Sequence, residues 1–215
     1  MKQNKETAGK VADFLLQIKA IKLNVASPFT WSSGLKSPIY CDNRKTLSYP
    51  TIRTYIRQEF VRLIHDEFGM PDVIAGVATG AIAHGALIAQ DMGLPFVYVR
   101  TSEKAHGLSN LIEGVVESGQ SVVVVEDLIS TGGSSLKAVE ALTNAGCKVK
   151  GMIAIFTYQI PSAIENFKNA KIPLFTLSNY DALIDEAVKR DYITQSDIES
   201  LIRWREAPEH WGEKL

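Results

Sequence analysis

The 215 residues suffice for one compact domain with a sizeable core. With 23 Lys and Arg against 24 Asp and Glu, the net charge of −1 gives no general attraction to nucleic acid or an anionic membrane, so any phosphate affinity must come from local groups. Two cysteines, Cys41 and Cys147, no zinc-ligand spacing and no stretch suited to a membrane span or signal peptide point to a cytoplasmic protein whose thiols are reduced and serve packing.

Hydrophobic spacing predicts an amphipathic helix over about residues 7–21, with Val11, Phe14, Leu15 and Ile18 on one face. Residues 28–42 are aromatic, glycine-containing and broken by proline, which suggests short strands and turns. A second helix is expected over about 49–68, ended by Gly69 and Pro71. Strand and helix patterns then alternate: a strand at 72–77, a helix after Gly80, strands at 95–99 and 122–125, and a helix at 134–145 with Gly146 past its end. A strand at 149–156, a further segment after Pro161, a last strand at 172–177 and helices at about 181–190 and 195–204 complete the chain. This alternation predicts an α/β fold with an open, mostly parallel sheet flanked by helices, in a single domain spanning 1–215.

The most informative segment is Val122-Val-Val-Val-Glu-Asp-Leu-Ile-Ser-Thr-Gly-Gly-Ser134. The valines read as a strand buried on both faces, which puts Glu126 and Asp127 at its carboxyl end, where open α/β sheets bind ligands. The following Ser130-Thr131-Gly132-Gly133-Ser134 can turn backbone N–H groups around a phosphate before a helix begins. Two acids beside an anion nest are coherent if the ligand offers vicinal hydroxyls to the acids and a phosphate to the nest, as a ribose 5-phosphate does. Neither a Gly-x-x-x-x-Gly-Lys-Ser/Thr loop nor a Gly-x-Gly-x-x-Gly loop follows any predicted strand, which removes ATPase and dinucleotide readings.

A second candidate anion loop, Gly76-Val-Ala-Thr-Gly80-Ala-Ile-Ala-His84-Gly85, follows the 72–77 strand and opens a helix, so it could hold another phosphate group. His84 reads as a locally packed helix residue. In the third segment, Tyr98-Val-Arg100-Thr-Ser-Glu-Lys104-Ala-His106-Gly107, Arg100, Lys104 and His106 supply donors for a polyanion. The fourth runs from Phe29 through Trp31, Lys36, Tyr40, Cys41 and Asp42 to Arg44, with the pattern of a hairpin carrying aromatic residues.

The first segment resembles the phosphoribosyl pyrophosphate (PRPP) motif of type I phosphoribosyltransferases. The third and fourth resemble the closing loop and base-covering segment of one branch, the orotate phosphoribosyltransferases. The resemblance implies a type I phosphoribosyltransferase core at about 69–178 and a small hood formed by about 1–68 and the C-terminal helices. The implied reaction transfers the phosphoribosyl group of PRPP to orotate, giving orotidine 5′-monophosphate and pyrophosphate in pyrimidine biosynthesis. Lys104 and Asp127 become the catalytic candidates. Arg100, Lys104, His106, Glu126, Asp127, Leu128, Ile129, Ser130, Thr131, Gly132, Gly133 and Ser134 become candidates for binding PRPP, and Ser130, Tyr40 and Lys36 for orotate. The resemblance also implies Mg²⁺ carried mainly by PRPP, pyrophosphate and water with no permanent protein metal site, and a homodimer with shared active sites.

The ribose-phosphate motif alone also suits a transferase for another base or a PRPP-sensing regulator without catalysis. The segments around Arg100–Gly107 and Phe29–Asp42 favour orotate, and the retained Lys104 favours an enzyme. The chain departs from many members of the family at Ser32, Thr79, Thr101 and Thr157-Tyr158-Gln159, where lysine or arginine is common; Lys36 and backbone groups near Tyr40 and Cys41 are then the alternative partners for the orotate carboxylate.

Overall fold

The computed structural model describes residues 4–31, 34–100 and 111–211. In chain order its elements are α1 (Lys5–Gln17), β1 (Ile21–Leu23), β2 (Phe29–Thr30), β3 (Lys36–Ser37), β4 (Ile39–Cys41), a 3-10 helix (Asn43–Ser48) and α2 (Pro50–Phe68). These are followed by β5 (Val73–Val77), α3 (Ile82–Met92), β6 (Phe96–Val99), β7 (Ile112–Glu113), β8 (Ser121–Ile129), α4 (Gly133–Asn144) and β9 (Lys148–Thr157). The last are α5 (Pro161–Ala170), β10 (Leu174–Asn179), α6 (Tyr180–Lys189) and α7 (Gln195–Glu206).

Six strands form one sheet in the order β10-β9-β8-β5-β6-β7, parallel except for the antiparallel β6–β7 edge. From β5 the chain proceeds outward to β6; from β8 it proceeds the other way through β9 to β10. The order therefore reverses between β5 and β8, and such a switch point leaves a crevice at the carboxyl ends of the two strands.

Side-chain parity along β8 assigns the two faces of the sheet. Val122 and Val124 pack with Ala138, Leu142 and Phe167 of α4 and α5, whereas Val123 and Val125 pack with α1, α2 and α3 through Leu15, Phe60 and Ile88. Both faces are covered, which explains why β5 and most of β8 read as unbroken apolar runs.

The first predicted helix is displaced relative to the sequence reading. Asn4 caps α1 by accepting from the N–H groups of Glu6 and Thr7, so the helix starts early. It stops at Gln17, Lys19 adopts a left-handed φ of 53°, and Ile21 enters β1, paired antiparallel with β4. Ile21 is buried as a strand residue, not as the last residue of the helix. The second helix follows expectation, with a proline in its first turn and Gly69 at its end.

The N-terminal segment is fastened to the C-terminal helices by aromatic packing. Trp31 stacks on Tyr158 at 5.4 Å between ring centroids and meets the edge of Trp204 at 5.7 Å, while its indole N–H donates to the Ile39 carbonyl at 3.0 Å. Trp204, fully buried on α7, also lies 5.5 Å from the Tyr180 ring. Among the described residues, no helix is long and apolar enough to cross a membrane.

Candidate active site

β8 is longer than its valine run suggests: its pairing with β9 continues through Glu126↔Ala154, Leu128↔Phe156 and Ile129↔Thr157. Its register with β5, however, ends at Val125↔Gly76. The two acids thus lie inside the strand yet beyond its last pair with β5, at the edge of the crevice. Strand alternation sends their side chains to opposite faces.

Glu126 points toward α4 and is buried. Its carboxyl accepts from Ser135 Oγ at 2.9 Å and from the Asp127 backbone N–H at 2.9 Å. Burial, and then the charge of Asp127, hold its pKa well above the ordinary carboxylate range. Asp127 points toward the β5–α3 loop and is half-buried. A Cβ added at Gly80 would overlap the Asp127 carboxyl, so only glycine leaves the acid room to rest against this loop. The two candidate anion loops therefore meet across the switch point, with Asp127 between them.

The first loop is shaped by its neighbours. Gly132 has a left-handed φ of 81° at the N-cap of α4, and a Cβ there would approach within 2.7 Å of the Phe167 ring. Asn166 Nδ2 donates to the Thr131 carbonyl at 3.0 Å and holds the loop from α5. Among the described residues no side chain caps α4, so the N–H groups of its first turn are suited to an anion, with Thr131, Gly133 and Ser134 exposed and Ser130 half-buried. In the second loop the Ala78–Thr79 peptide is cis, Ala78 N–H donates to the Val99 carbonyl at 2.8 Å, and α3 begins at Ile82.

The 3-10 helix that follows the residues 28–42 segment lies against this site through contacts that the sequence pattern does not single out. Asn43, 1% exposed, donates from Nδ2 to the Asp127 carbonyl at 2.6 Å, and its Oδ1 accepts from Cys41 Sγ at 3.1 Å. Thr46 Oγ1 donates to the Asn43 carbonyl at 2.6 Å and lies 3.0 Å from His84 Nε2 on α3. Burial, followed by the charges of Asp127 and Asp42, raises the Cys41 thiol well above its ordinary pKa, so it remains a neutral donor. Asn43 and Thr46 carry no catalytic signature in a single sequence; their polar side chains beside a buried turn are the only hint.

Residues 53–175 match the phosphoribosyl transferase domain family. An orotate phosphoribosyltransferase of Bacteroides thetaiotaomicron is 62% identical over 200 residues, covering 93% of this chain and 94% of that protein. An orotate phosphoribosyltransferase of Porphyromonas gingivalis is 57% identical over 208 residues, covering 96% and 99%. The chain belongs to the orotate phosphoribosyltransferase family. The crystal structure of the Aeropyrum pernix orotate phosphoribosyltransferase superposes with a TM-score of 0.73 at 26% identity, over 86% of this chain and 99% of that one. The type I phosphoribosyltransferase fold expected from the motifs is the fold found.

The residues expected to serve an orotate phosphoribosyltransferase are distributed unevenly. Glu126, Asp127, Leu128, Ile129, Ser130, Thr131, Gly132, Gly133 and Ser134 run without a break from the carboxyl end of β8 into the first turn of α4, with the Glu126 and Ile129 side chains buried. Arg100 sits at the end of β6, its N–H donating to the Leu111 carbonyl at 2.8 Å and its guanidinium 3.7 Å from Glu113. Lys104, His106, Thr101 and Ser32 lie outside the described residues. Lys36 donates to Thr30 Oγ1 at 2.9 Å across the β2–β3 pair, and Tyr40 is 40% exposed on β4 with its ring 5.8 Å from Phe29. The Thr157-Tyr158-Gln159 segment offers no cation: Tyr158 is buried in the aromatic cluster and Gln159 accepts from the Asp181 backbone N–H at 3.0 Å.

Proposed function

We propose that this orotate phosphoribosyltransferase transfers the 5-phosphoribosyl group of PRPP to orotate, giving orotidine 5′-monophosphate and pyrophosphate. The observation that carries the reading is the convergence of two strand-to-helix anion loops at the β5/β8 switch point, with the Asp127 carboxyl lying on Gly80. In this reading Asp127, with Glu126 behind it, holds the ribose hydroxyls. Residues Leu128 to Ser134 wrap the 5′-phosphate, their amides and the α4 N-terminus meeting its charge. The Thr79–Gly80 loop receives part of the pyrophosphate through backbone groups. Ser130, Tyr40 and Lys36 are the proposed orotate contacts, although the Lys36 ammonium is turned onto Thr30 in this state.

Displacement at the anomeric carbon builds negative charge on the departing pyrophosphate. Lys104, Arg100 and His106 are proposed to meet that charge, and a cation that arrives only as its loop closes stabilises the transition state more than the ground state. Exclusion of water by closure protects the oxocarbenium-like carbon from hydrolysis. Among the described residues no group of three or more His, Cys, Asp or Glu is placed to hold a metal ion. The Asp127 carboxylate suits a hard cation that takes its remaining oxygens from PRPP and water, and Mg²⁺ so bound would supply further neutralisation of the pyrophosphate. We further propose one domain spanning 1–215, with a hood of about 1–68 plus the C-terminal helices over a core of about 69–178, a homodimer with shared sites, and a cytoplasmic location.

The experiment is pyrophosphate release by the purified protein with PRPP and Mg²⁺, comparing orotate with uracil, hypoxanthine, guanine and adenine. Turnover with orotate alone is expected. Turnover with another base would overturn the assignment of the base site, and PRPP binding without turnover on any base would favour a sensor.

A further inference from the structure

Where β5 ends, the backbone of β8 finds side-chain partners in place of a strand. Val125 is the last β8 residue in register with β5. Two residues further on, Asp127 presents its backbone to the same edge, but β5 has already turned into its loop. Its N–H is taken by the Glu126 carboxyl and its C=O by Asn43 Nδ2. A buried strand group without a partner is costly, so these side chains replace the absent strand.

We infer that Asn43 is a positioning residue for Asp127, its side-chain amide standing in for the next peptide of β5 and fixing the backbone from which the carboxyl projects. The inference rests on the proposed role of Asp127 at the ribose. Orientation of the amide is set from both ends, because Oδ1 faces the Cys41 thiol at 3.1 Å and Nδ2 faces the Asp127 carbonyl at 2.6 Å. A flipped amide would put oxygen against oxygen at Asp127. The main chain of Asn43 is clasped in turn: Thr46 donates its only hydroxyl proton to the Asn43 carbonyl, so the 3.0 Å contact to His84 has Nε2 as donor. His84 belongs to α3, the helix that follows the Thr79–Gly80 loop. One chain of buried groups thus joins the Asp127 strand to the helix behind the second anion loop. Because the Asp127 carboxyl rests against Gly80 without space for a methyl group, a small shift of its backbone changes its distance to both loops.

The residue type matters. Asparagine donates and accepts at once; an ionised aspartate of the same size cannot donate, and leucine does neither.

The test is a double-mutant cycle between Asn43→Asp or Asn43→Leu and Asp127→Asn, read as kcat/KM for PRPP, KM for orotate, and thermal midpoint. Expected is a loss of kcat/KM for PRPP of about tenfold or more in each Asn43 variant, with KM for orotate within about twofold. On the Asp127→Asn background the same substitution should cost no more than about twofold. Equal losses on both backgrounds would overturn the inference while leaving the Asp127 reading intact. An Asp127→Asn enzyme with unchanged PRPP kinetics would overturn that reading and the inference with it. A lowered thermal midpoint with unchanged kinetics would reduce Asn43 to a structural role and also overturn it. If Asn43→Leu folds poorly, the isosteric Asn43→Asp carries the cycle.

Discussion

Acid should weaken this fold through His84, and the size of the effect follows from the surroundings of the ring. The imidazole is 1% exposed; burial first, and Arg53 second, lower its pKa from 6.5 to about 4. Nε2 already donates to Thr46, so a second proton would go to Nδ1, which is buried with no hydrogen-bond partner among the described residues. In the unfolded chain the ring takes that proton near pH 6.5, in the folded protein only near pH 4. Between these values the unfolded state binds more protons, so stability is fully present above the upper value and falls as pH falls through the window. At roughly 1.4 kcal/mol per pH unit, the loss approaches about 3 kcal/mol at the acid end. Glu126 acts in the opposite sense, because its raised folded pKa gives stability at low pH that is lost as pH rises. The assay must therefore isolate His84. Urea unfolding of the wild type and of His84→Gln, which retains an N–H for Thr46 and does not titrate, would be measured from about pH 7 down to about pH 4.5. The wild type should lose about 2–3 kcal/mol relative to the variant across that range. Parallel stability curves for the two proteins would refute the reasoning.

Gly80→Ala should fold but displace the Asp127 carboxyl, raising KM for PRPP by about tenfold or more; unchanged PRPP kinetics would separate this contact from substrate binding. Trp204→Ala removes a fully buried ring that meets Trp31, Tyr158 and Tyr180, and should cost about 3–5 kcal/mol in denaturant unfolding. Lys104→Ala should lower turnover by ~10²–10³, the order seen on removing a charge-stabilising donor; full turnover would remove Lys104 from the mechanism.

Local patterns carried much of this site. The valine run, the acid pair and the hydroxyl and glycine loop are contiguous in the chain, so strand, switch-point wall and helix N-terminus could be read without knowing what packs around them. The parallel alternation from β5 to β10 was similarly legible, because strands covered on both faces leave unbroken apolar runs. The start of β1 was not. Ile21 sits at a helical spacing from Ile18, and the left-handed turn at Lys19 that diverts it has no glycine to announce it. β7 and the 3-10 helix also escaped, being two and six residues long and without strong periodicity.

The sequence by itself determined the covalently local chemistry: two acids of opposite parity, followed by a loop with unencumbered N–H groups. Only the tertiary structure decided how these groups differ. The register of β5 with β8 stops at Gly76 and Val125, immediately before the acids; Glu126 is enclosed against Ser135, while Asp127 faces the crevice and Gly80. Asn43, 84 positions earlier, then completes a backbone pairing that no local pattern could specify. The physical reason is that hydrophobic periodicity encodes which face a residue presents, whereas the length of a neighbouring strand decides which of its backbone groups must find another partner.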